Sequence, residues 1–409
     1  MSSSLFESFR RPLFAIAACL TIGACTTPQA PPPVPVVPEL PPAPHQLVQD
    51  IPQFLTLPNT PDGATPVRVG VILPLDNTNA NVRALAKAMM RAAELALYDS
   101  GNKTIILMTA EDTGTPADAA AAAQKLLGEG AEIIVGPLFA GSVEAVAPLA
   151  RDRGVPVLAF STDRKVAGNG VYLLSFQPQN EVKRIVAYAA SQGRQKIGAL
   201  IPQTAYGDVV DQAFRAAAQE SHVAVCAVAR FSPSAGALTD PAATIAKADC
   251  DAILVPQGGS LLRGLAQTLA YSAIDPAKVK LLGTGLWNEP GSQKEGLLSG
   301  AWFAAPQPST DAPFAAKYRQ TFGSEPPQLA SLAYDAMSLV ALLANGTPYH
   351  RFTLRALTDP NGFAGVSGIF RFTPDGSIDR GLAVLGVEPT GFTVVNPAPV
   401  TFQTNGAKS

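Results

Sequence analysis

The stretch Val67-Arg68-Val69-Gly70-Val71-Ile72-Leu73-Pro74 indicates the fold class of this protein. Its residues up to Leu73 are almost all apolar and predict a short strand, which Pro74 ends because proline has no N–H to donate to a neighbouring strand. The residues that follow predict an amphipathic helix, because apolar side chains recur at spacings of three and four. These side chains are Val82, Leu85, Met89, Ala92, Ala93 and Ala96.

The same alternation of strand and helix continues along the chain. Thr115-Pro116-Ala117-Asp118 predicts the start of a helix, with Thr115 as the N-cap and Pro116 at the first helical position. The other predicted strands cover residues 105–108, 133–135, 157–160, 197–201, 223–231, 252–255 and 279–282, and the other predicted helices cover residues 142–152, 180–191, 208–220 and 261–271. Strands that are apolar throughout and alternate with helices indicate a parallel sheet covered on both faces.

Because this pattern restarts after Pro178, we predict an α/β protein with two doubly wound parallel-sheet lobes joined by a hinge. Ligands of such folds bind beyond the carboxyl ends of the strands. Two lobes that face each other would therefore form a cleft that closes by a hinge motion.

Composition excludes several classes of function. The chain has 409 residues, with 30 lysines and arginines against 32 aspartates and glutamates, so it carries no basic excess for nucleic acid. Three histidines and four cysteines offer little to a metal site, and we predict no metal and no cofactor. The sequence holds no nucleophile-elbow, zinc-protease, phosphate-loop or dinucleotide-binding motif, so we predict no enzyme and no catalytic residue.

Residues 1–24 predict a lipoprotein signal peptide. A pair of arginines precedes an apolar stretch over residues 13–22, and two small residues follow it. Cys25 comes next, which resembles the lipobox of bacterial lipoproteins and implies that its thiol is acylated; the alternative is an ordinary signal peptide with a chance cysteine. Because Thr26 rather than an aspartate follows, the resemblance implies a periplasmic protein that contacts the membrane through its lipid anchor only, with the outer membrane favoured.

Residues 25–66 are predicted to be a proline-rich tether. Nine prolines stand among the 17 residues from Pro28 to Pro44. Such a segment builds neither a helix nor a sheet ladder and favours the extended polyproline II conformation. The tether is either a stiff spacer or a disordered chain.

Five stretches of the chain, in this order, resemble the type I periplasmic binding proteins of the leucine/isoleucine/valine-binding class. The resemblance spans about residues 67–395. The five stretches are Val69-Gly70-Val71-Ile72-Leu73-Pro74, Ile134-Val135-Gly136-Pro137-Leu138, Val155-Pro156-Val157-Leu158, Thr204-Ala205-Tyr206-Gly207-Asp208 and Phe363-Ala364-Gly365-Val366-Ser367-Gly368-Ile369-Phe370-Arg371-Phe372.

This resemblance implies that the chain crosses between its lobes three times. The crossings are expected near Gln177, Pro306 and Phe372. Lobe 1 is then expected over residues 67–177 plus 306–371, and lobe 2 over residues 178–305 plus 372–409.

The resemblance also implies where lobe 1 would contact a ligand. Amino-acid-binding members hold the ligand carboxylate with small hydroxyl residues and backbone amides after the third strand of this lobe. Here that loop carries Phe139, Ala140 and Gly141, with no hydroxyl at the last two positions. Ser161 and Thr162, after the next strand, keep hydroxyl groups for a second contact.

In lobe 2, Tyr206 matches the family's cleft tyrosine and would either stack on a ligand or pack at the rim of the cleft. The family usually carries an acidic residue for the ligand ammonium after the next strand of this lobe. Here the loop from Gln257 to Leu262 contains no carboxylate. Because a buried ammonium without a counter-charge costs several kcal/mol, this difference argues against a free amino acid as the ligand.

Other candidates come from their position in the predicted sheets. Asp76 follows the first strand and either lines the cleft or belongs to a turn before the next helix. Trp287 and Asn288 follow a predicted strand, where the tryptophan is a ligand wall, a contact for a partner protein or a core residue. Cys226 and Cys250 form either a disulfide, as the oxidising periplasm would allow, or two buried thiols.

The predicted lipid anchor, the tether and the incomplete amino-acid site resemble the penicillin-binding-protein activator lipoproteins. That resemblance implies a non-enzymatic protein that regulates peptidoglycan synthesis by contacting a peptidoglycan synthase, with a cleft that binds a muropeptide or nothing. The alternative is a solute-binding receptor that delivers branched-chain amino acids or amides to the permease of an ABC transporter.

Overall fold

The computed structural model describes residues 54–61, 63–233, 238–272, 274–289 and 291–403. The predicted signal peptide, Cys25 and most of the predicted tether lie outside these described residues. Within them, no helix has both the length and the apolar character needed to cross a membrane.

The described residues fold into strands and helices that alternate as predicted. The strands are β1 (Phe54–Thr56), β2 (Val67–Val71), β3 (Ile105–Thr109), β4 (Ile133–Val135), β5 (Val157–Ala159), β6 (Val171–Leu173), β7 (Lys196–Pro202), β8 (Ala224–Phe231), β9 (Ala252–Leu254), β10 (Lys280–Gly283), β11 (Trp302–Ala305), β12 (Phe363–Gly365), β13 (Gly368–Phe372), β14 (Ile378–Arg380), β15 (Ala383–Glu388) and β16 (Gly391–Asn396). The helices are α1 (Ala80–Ser100), α2 (Pro116–Gly128), α3 (Ala140–Asp152), α4 (Pro178–Ser191), α5 (Ala205–Glu220), α6 (Thr239–Lys247), α7 (Gly259–Tyr271), α8 (Pro308–Phe322), α9 (Ala330–Leu343) and α10 (Leu354–Leu357).

Two large sheets define two lobes. The sheet of lobe 1 has the strand order β1-β3-β2-β4-β5-β6, and the sheet of lobe 2 has the order β16-β15-β11-β10-β9-β7-β8. Strands β2 to β6 pair in parallel, as do β7 to β11, whereas β1, β15 and β16 pair antiparallel at the sheet edges. This arrangement confirms the predicted α/β fold class with two doubly wound lobes.

Helix α1 packs on α9 to build much of the lobe 1 core. Met89, Met90 and Leu97 of α1 are fully buried, as is Met337 of α9. At the exposed edge of this contact, the hydroxyl of Tyr334 donates to Asp99 Oδ2 at 2.7 Å. Since α9 begins 230 residues after α1 ends, the core of lobe 1 joins distant parts of the chain.

The chain passes between the lobes three times. It leaves lobe 1 after β6, returns after β11, and crosses again between β14 and β15. Ala305, the last residue of β11, pairs with Ala383, the first residue of β15, so the second and third crossings lie side by side. Arg184 of α4 donates through Nε to the carbonyl oxygen of Leu382 at 2.8 Å, which ties the first helix of lobe 2 to the third crossing.

Three boundaries differ from the expected ones. Phe54–Thr56, expected in the tether, pairs antiparallel with β3, because a short apolar segment can cover the open edge of the sheet. The third crossing lies after Arg380 rather than near Phe372, because β13 and β14 pack against the core of lobe 1. The end of the chain does not stay with lobe 2, since Gln403 Nε2 donates to Asn361 Oδ1 at 2.7 Å.

Cys226 and Cys250 form a disulfide in lobe 2, with their Cα atoms 5.6 Å apart. Cys226 lies in β8 and Cys250 shortly precedes β9, and β7 runs between these two strands. A Cβ atom on Gly198 of β7 would stand 2.9 Å from Cys250 Sγ and 3.2 Å from Cys226 Sγ. The bridge therefore passes over the middle strand where that strand has no side chain.

Candidate functional site

The carboxyl ends of both parallel sheets lie where the chain crosses between the lobes. β6 ends immediately before the first crossing, and β11 ends immediately before the second. Because parallel strands share one direction, the loops that follow their neighbours emerge at the same end of each lobe. We define the lobe 1 cleft loops as residues 72–79, 136–139 and 160–163, and the lobe 2 cleft loops as residues 203–206, 255–258 and 284–288.

The loop after β2 is held by hydrogen bonds to the loop after β3 and at the start of α1. Asp76 has an exposed side chain, and its backbone N–H donates to the carbonyl oxygen of Asp112 at 3.2 Å. Asn79 is the N-cap of α1, and its side-chain oxygen accepts from the N–H of Asn81 at 2.9 Å. Bonds to the loop after β3 and the cap of α1 therefore engage the bonded polar groups here, and the Asp76 side chain is exposed.

The loops after β4 and β5 expose one aromatic ring, that of Phe139, and one hydroxyl residue, Thr162. Phe139 is the N-cap residue of α3 without a side-chain hydrogen bond, and 37% of it is exposed. Ala140 and Gly141 open that helix, so their backbone N–H groups have no partner within it. The hydroxyl of Ser161 is buried and accepts from the backbone N–H two residues later, whereas Thr162 is exposed.

Lobe 2 brings a carboxylate and two hydroxyl groups together. The hydroxyl oxygens of Tyr206, in the first turn of α5, and Thr284, after β10, are 3.2 Å apart. Glu181 in the first turn of α4 accepts from the backbone N–H of Gly285 through Oε2 at 3.0 Å. Glu181 is only 8% exposed, and no lysine or arginine among the described residues forms an ion pair with it.

Burial controls the ionisation of this cluster. Desolvation raises the pKa of Glu181 from 4.5 to about 7, although the N–H of Gly285 stabilises the ionised form and opposes the rise. Desolvation also raises the pKa of Tyr206, and the negative charge of Glu181 raises it further. At neutral pH the cluster therefore holds a neutral tyrosine beside a carboxyl group that is close to its midpoint of ionisation.

Trp287 belongs to the core of lobe 2. It has no exposed surface, and its indole Nε1 donates to the backbone oxygen of Gln257 at 3.0 Å. A Cβ on Gly283 would stand 2.2 Å from the ring, so the indole fits only because that residue is glycine. The structure thus favours the core alternative for Trp287, while Asn288 is half-buried and its N–H donates to the carbonyl oxygen of Gly285.

The structure brings some of the predicted site residues together and separates others. The backbone oxygen of Gln257 accepts a hydrogen bond from Trp287 in lobe 2, whereas Phe139, Ser161 and Thr162 lie in lobe 1. Glu181 and Thr284, which contact Gly285 and Tyr206 respectively, were not among the predicted residues. One sequence signal for Glu181 exists, since it is an acidic residue in the helix that directly follows the predicted first crossing.

No group of three or more histidine, cysteine, aspartate or glutamate side chains within the described part of the chain is placed to hold a metal ion. The cleft loops instead carry hydroxyls, side-chain amides, exposed carboxylates and backbone N–H groups, and Glu181 adds a buried carboxylate beside residues 284–288. Such groups suit a small polar ligand held by hydrogen bonds.

Solved structures share this fold at low sequence identity. A putative branched-chain amino acid ABC transporter protein from Rhodospirillum rubrum has a TM-score of 0.73 and 21% identity, over 81% of this chain and 100% of that chain. The branched-chain amino acid transporter substrate binding protein LivJ from Streptococcus pneumoniae, in complex with isoleucine, has a TM-score of 0.58 and 20% identity, over 81% and 100% of the two chains. A solute binding protein of an ABC transporter from Rhodopseudomonas palustris, in complex with 4-hydroxybenzoate, has a TM-score of 0.60 and 17% identity, over 84% and 99%.

No curated protein matches the sequence. A family model described as periplasmic binding protein matches residues 66–391, which is most of the chain and nearly all of its described part. Together with the shared fold, this match confirms the resemblance to type I periplasmic binding proteins of the leucine/isoleucine/valine-binding type. The chain belongs to the periplasmic binding protein family.

Proposed function

We propose that this protein is a non-enzymatic solute receptor that delivers a branched-chain amino acid or an amide to the permease of an ABC transporter. The observation that carries the proposal is that the family match covers both lobes and all three crossings between them. Two of the solved structures compared above are described as ABC transporter proteins and the third as a branched-chain amino acid transporter substrate binding protein, and two of the three hold small organic molecules. A receptor of this kind works by binding its ligand better in the closed arrangement of its lobes than in the open one.

The cleft loops supply groups for such a ligand. The N–H groups of Ala140 and Gly141 open α3, and a helix N-terminus favours a carboxylate. Thr162 adds an exposed hydroxyl, and Phe139 adds a ring surface for an apolar side chain. We include Tyr206 as the lobe 2 contact. Ser161 supports its turn, and Asp76, Gln257 and Asn288 are rim residues in this proposal.

An activator of peptidoglycan synthases is the second candidate. It is favoured by two observations from the sequence, namely Thr26 after the lipobox cysteine and the missing hydroxyl at Ala140. The comparisons favour the receptor, so the order of the two candidates is reversed relative to the sequence-based preference. Acylation of Cys25 belongs to both proposals, whereas attachment to the outer membrane belongs to the activator alone.

Thermal unfolding of the purified full chain tests the proposal. The protein is heated with leucine, isoleucine, valine, leucinamide, 4-hydroxybenzoate or a muropeptide. A ligand at 100 times its dissociation constant adds about 2.7 kcal/mol to the free energy of unfolding and visibly raises the Tm. A shift with an amino acid or an amide supports the receptor. A response to the muropeptide alone, or binding to a purified penicillin-binding protein without any solute response, would overturn it.

A pair of variants shows whether a bound solute occupies the cleft. Thr162→Trp places a large ring on an exposed position of the lobe 1 cleft loops and is expected to abolish the ligand-induced shift. Lys103→Trp is the matched control, because Lys103 is also exposed in lobe 1 but precedes β3 at the opposite end of the sheet. The control variant is expected to keep the full shift.

A further inference from the structure

We propose that lobe 1 carries a second binding site, a groove at the amino end of its sheet that binds an anionic glycan. By this we mean a chain of sugar rings with carboxylate substituents. The groove is separate from the cleft, because the cleft loops follow the carboxyl ends of the strands. The inference therefore goes beyond the receptor function proposed above and does not depend on it.

Two adjoining cavities form this lobe 1 groove. Their volumes are about 510 and 620 Å³, and five residues line both of them, namely Gly154, Val155, Pro156, Phe352 and Thr353. One cavity extends towards the residues that precede β4, and the other towards those that precede β6. One wall is the segment between α3 and β5, and the other is the segment between α9 and α10. Each cavity is within the range of about 300–1,000 Å³ that sites for small ligands occupy.

Two arginines at the end of α3 give the groove its charge. Arg153 lines the first cavity and Arg151 the second, and both are exposed. Within the described part of the chain, neither guanidinium group has a hydrogen bond or an ion pair. Of the described residues that line the groove, Glu132 alone carries a carboxylate, and it is already paired with the buried Arg351. The groove therefore presents unpaired positive charge, and arginine binds carboxylates through two parallel hydrogen bonds.

An exposed tyrosine stands on the opposite wall. Tyr349 lines the first cavity and is 70% exposed, and its backbone has a φ of 59°, in the left-handed region that side chains of this size disfavour. Its N–H donates to Glu132 Oε2 at 3.1 Å, so the buried ion pair holds the backbone in this conformation. Strained residues that their surroundings hold in place cluster at binding sites. The ring offers a flat apolar surface to a ligand.

An aromatic ring beside unpaired arginines fits a sugar acid better than an acidic peptide. The C–H groups on one face of a sugar ring pack on the aromatic ring, while a carboxylate substituent reaches an arginine. An extended peptide would instead add to an open strand edge. The groove offers none at its floor, because Pro156 accepts from the N–H of Ile134 and Gly170 accepts from that of Val157. The family works in the periplasm, where alternate sugars of the cell-wall glycan carry a carboxylate.

The test compares three ligands by isothermal titration of the purified full chain. The first is a tetrasaccharide of alternating N-acetylglucosamine and N-acetylmuramic acid, which carries carboxylates. The second is chitotetraose, which has the same rings without them, and the third is the acidic peptide triglutamate.

Matched variants locate the binding. The double variant Arg151→Gln, Arg153→Gln removes two charges from the groove. Its control is Lys87→Gln, Lys247→Gln, which removes two charges from exposed residues of α1 and α6 that line neither cavity. Tyr349→Ala removes the ring and Tyr349→Phe keeps it. Thr162→Trp, in the cleft, shows whether the glycan enters the cleft instead.

We expect the wild-type protein to bind the acidic tetrasaccharide more tightly than chitotetraose or triglutamate. The arginine double variant should weaken this binding about 10- to 100-fold, and Tyr349→Ala about 2- to 10-fold. Tyr349→Phe, the lysine double variant and Thr162→Trp should all bind as the wild type does.

Several results would overturn the inference and leave the receptor function standing. They are no binding of the acidic tetrasaccharide, equal binding of chitotetraose, tighter binding of triglutamate, and full binding by the arginine double variant. Loss of glycan binding in Thr162→Trp would also overturn it, because the glycan would then occupy the cleft. Failure of amino acids and amides to shift the Tm tests the receptor function separately and does not affect the groove.

Discussion

Two glutamates in this protein are equally buried, and only one of them has a counter-charge. Glu132 in lobe 1 and Glu181 in lobe 2 are each 8% exposed. Glu132 accepts from Arg351 Nη1 at 2.8 and 3.0 Å and from the backbone N–H of Tyr349 at 3.1 Å. Among the described residues, Glu181 accepts from the backbone N–H of Gly285 alone.

The difference separates a carboxylate that ties two segments together from one that has no ion-pair partner among the described residues. Glu132 immediately precedes β4, at the amino end of the sheet, where it fixes the segment around Arg351 against lobe 1. Its charge is already neutralised and its hydrogen bonds are made inside the protein. Glu181 follows the first crossing, near the carboxyl end of its sheet, and keeps its charge unpaired. Equal burial therefore does not imply an equal electrostatic environment, because of these two carboxylates only that of Glu132 has a counter-charge among the described residues.

Removing the counter-charge of Glu132 is expected to have the largest effect. Arg351→Met leaves a buried carboxylate without its cation, and such a change lowers the free energy of unfolding by about 3–5 kcal/mol. Urea denaturation at pH 8 measures the loss. The double variant Glu132→Gln, Arg351→Met should recover much of it, because no charge is then left buried. A loss below about 1 kcal/mol in the single variant would mean that water compensates for the arginine.

Removing the charge of Glu181 is expected to act in the opposite direction. Because burial raises the pKa of this carboxyl group from 4.5 to about 7, the folded protein holds a proton between these values that the unfolded chain has released. Stability of the wild-type protein should thus fall as the pH rises from about 4.5 to 7. Without ligand, Glu181→Gln should gain about 3 kcal/mol in free energy of unfolding at pH 8 and nothing at pH 4.

Urea denaturation of both proteins from pH 4 to pH 8 measures this difference. Other groups affect the interpretation of these curves. Burial raises the pKa of Asp335, in lobe 1, to about 6, so this carboxyl group adds the same slope to wild type and variant alike. Tyr206 faces Glu181 and stays neutral over this range, because burial raises its pKa. Glu94 in lobe 1 also has a pKa raised by burial to about 7, so it adds the same slope to wild type and variant alike. If the two curves run parallel across the range, Glu181 does not bear the buried charge described here.

An exposed ion pair should show the smallest effect. Lys183 and Glu220 are 2.6 Å apart, but their side chains are 62% and 59% exposed. Water solvates both charges, so Lys183→Met is expected to change the free energy of unfolding by about 0.5 kcal/mol or less. Urea denaturation of this variant beside Arg351→Met compares two pairs of similar length. Equal losses would show that distance matters more than burial, contrary to the comparison of the two glutamates.

Much of the fold could be predicted because local periodicity and burial agree. The strand predicted over residues 133–135 is β4, and the strand predicted over residues 105–108 is β3 with one more residue. Thr115 caps α2 as predicted, with its hydroxyl accepting from the N–H of Asp118 at 3.2 Å. The predicted starts of α3, α4, α5 and α7 were late by two or three residues, because first-turn residues such as Ala205 carry no apolar periodicity of their own.

The candidate site was less predictable because it depends on contacts between distant residues. Glu181 and Gly285 are 104 positions apart, and neither local sequence predicts the hydrogen bond between them. Trp287 can be buried because Gly283, which lies against its ring, has no side chain. The sequence alone does not distinguish this glycine from the others in the chain. The edge strand Phe54–Thr56 was missed because three residues are too few to show an alternating pattern.

The packing of α1 on α9 has a consequence for the order in which the protein can fold. A growing chain completes α1 long before α9, which begins 230 residues after α1 ends, has been added. Until then, the apolar face that contains Met89 and Met90 lacks its native cover. Such a high sequence separation slows folding, and surface left open during synthesis promotes aggregation. The core of lobe 1 therefore cannot be completed when only the first half of the chain has been synthesised. It is completed only after most of the protein has been made.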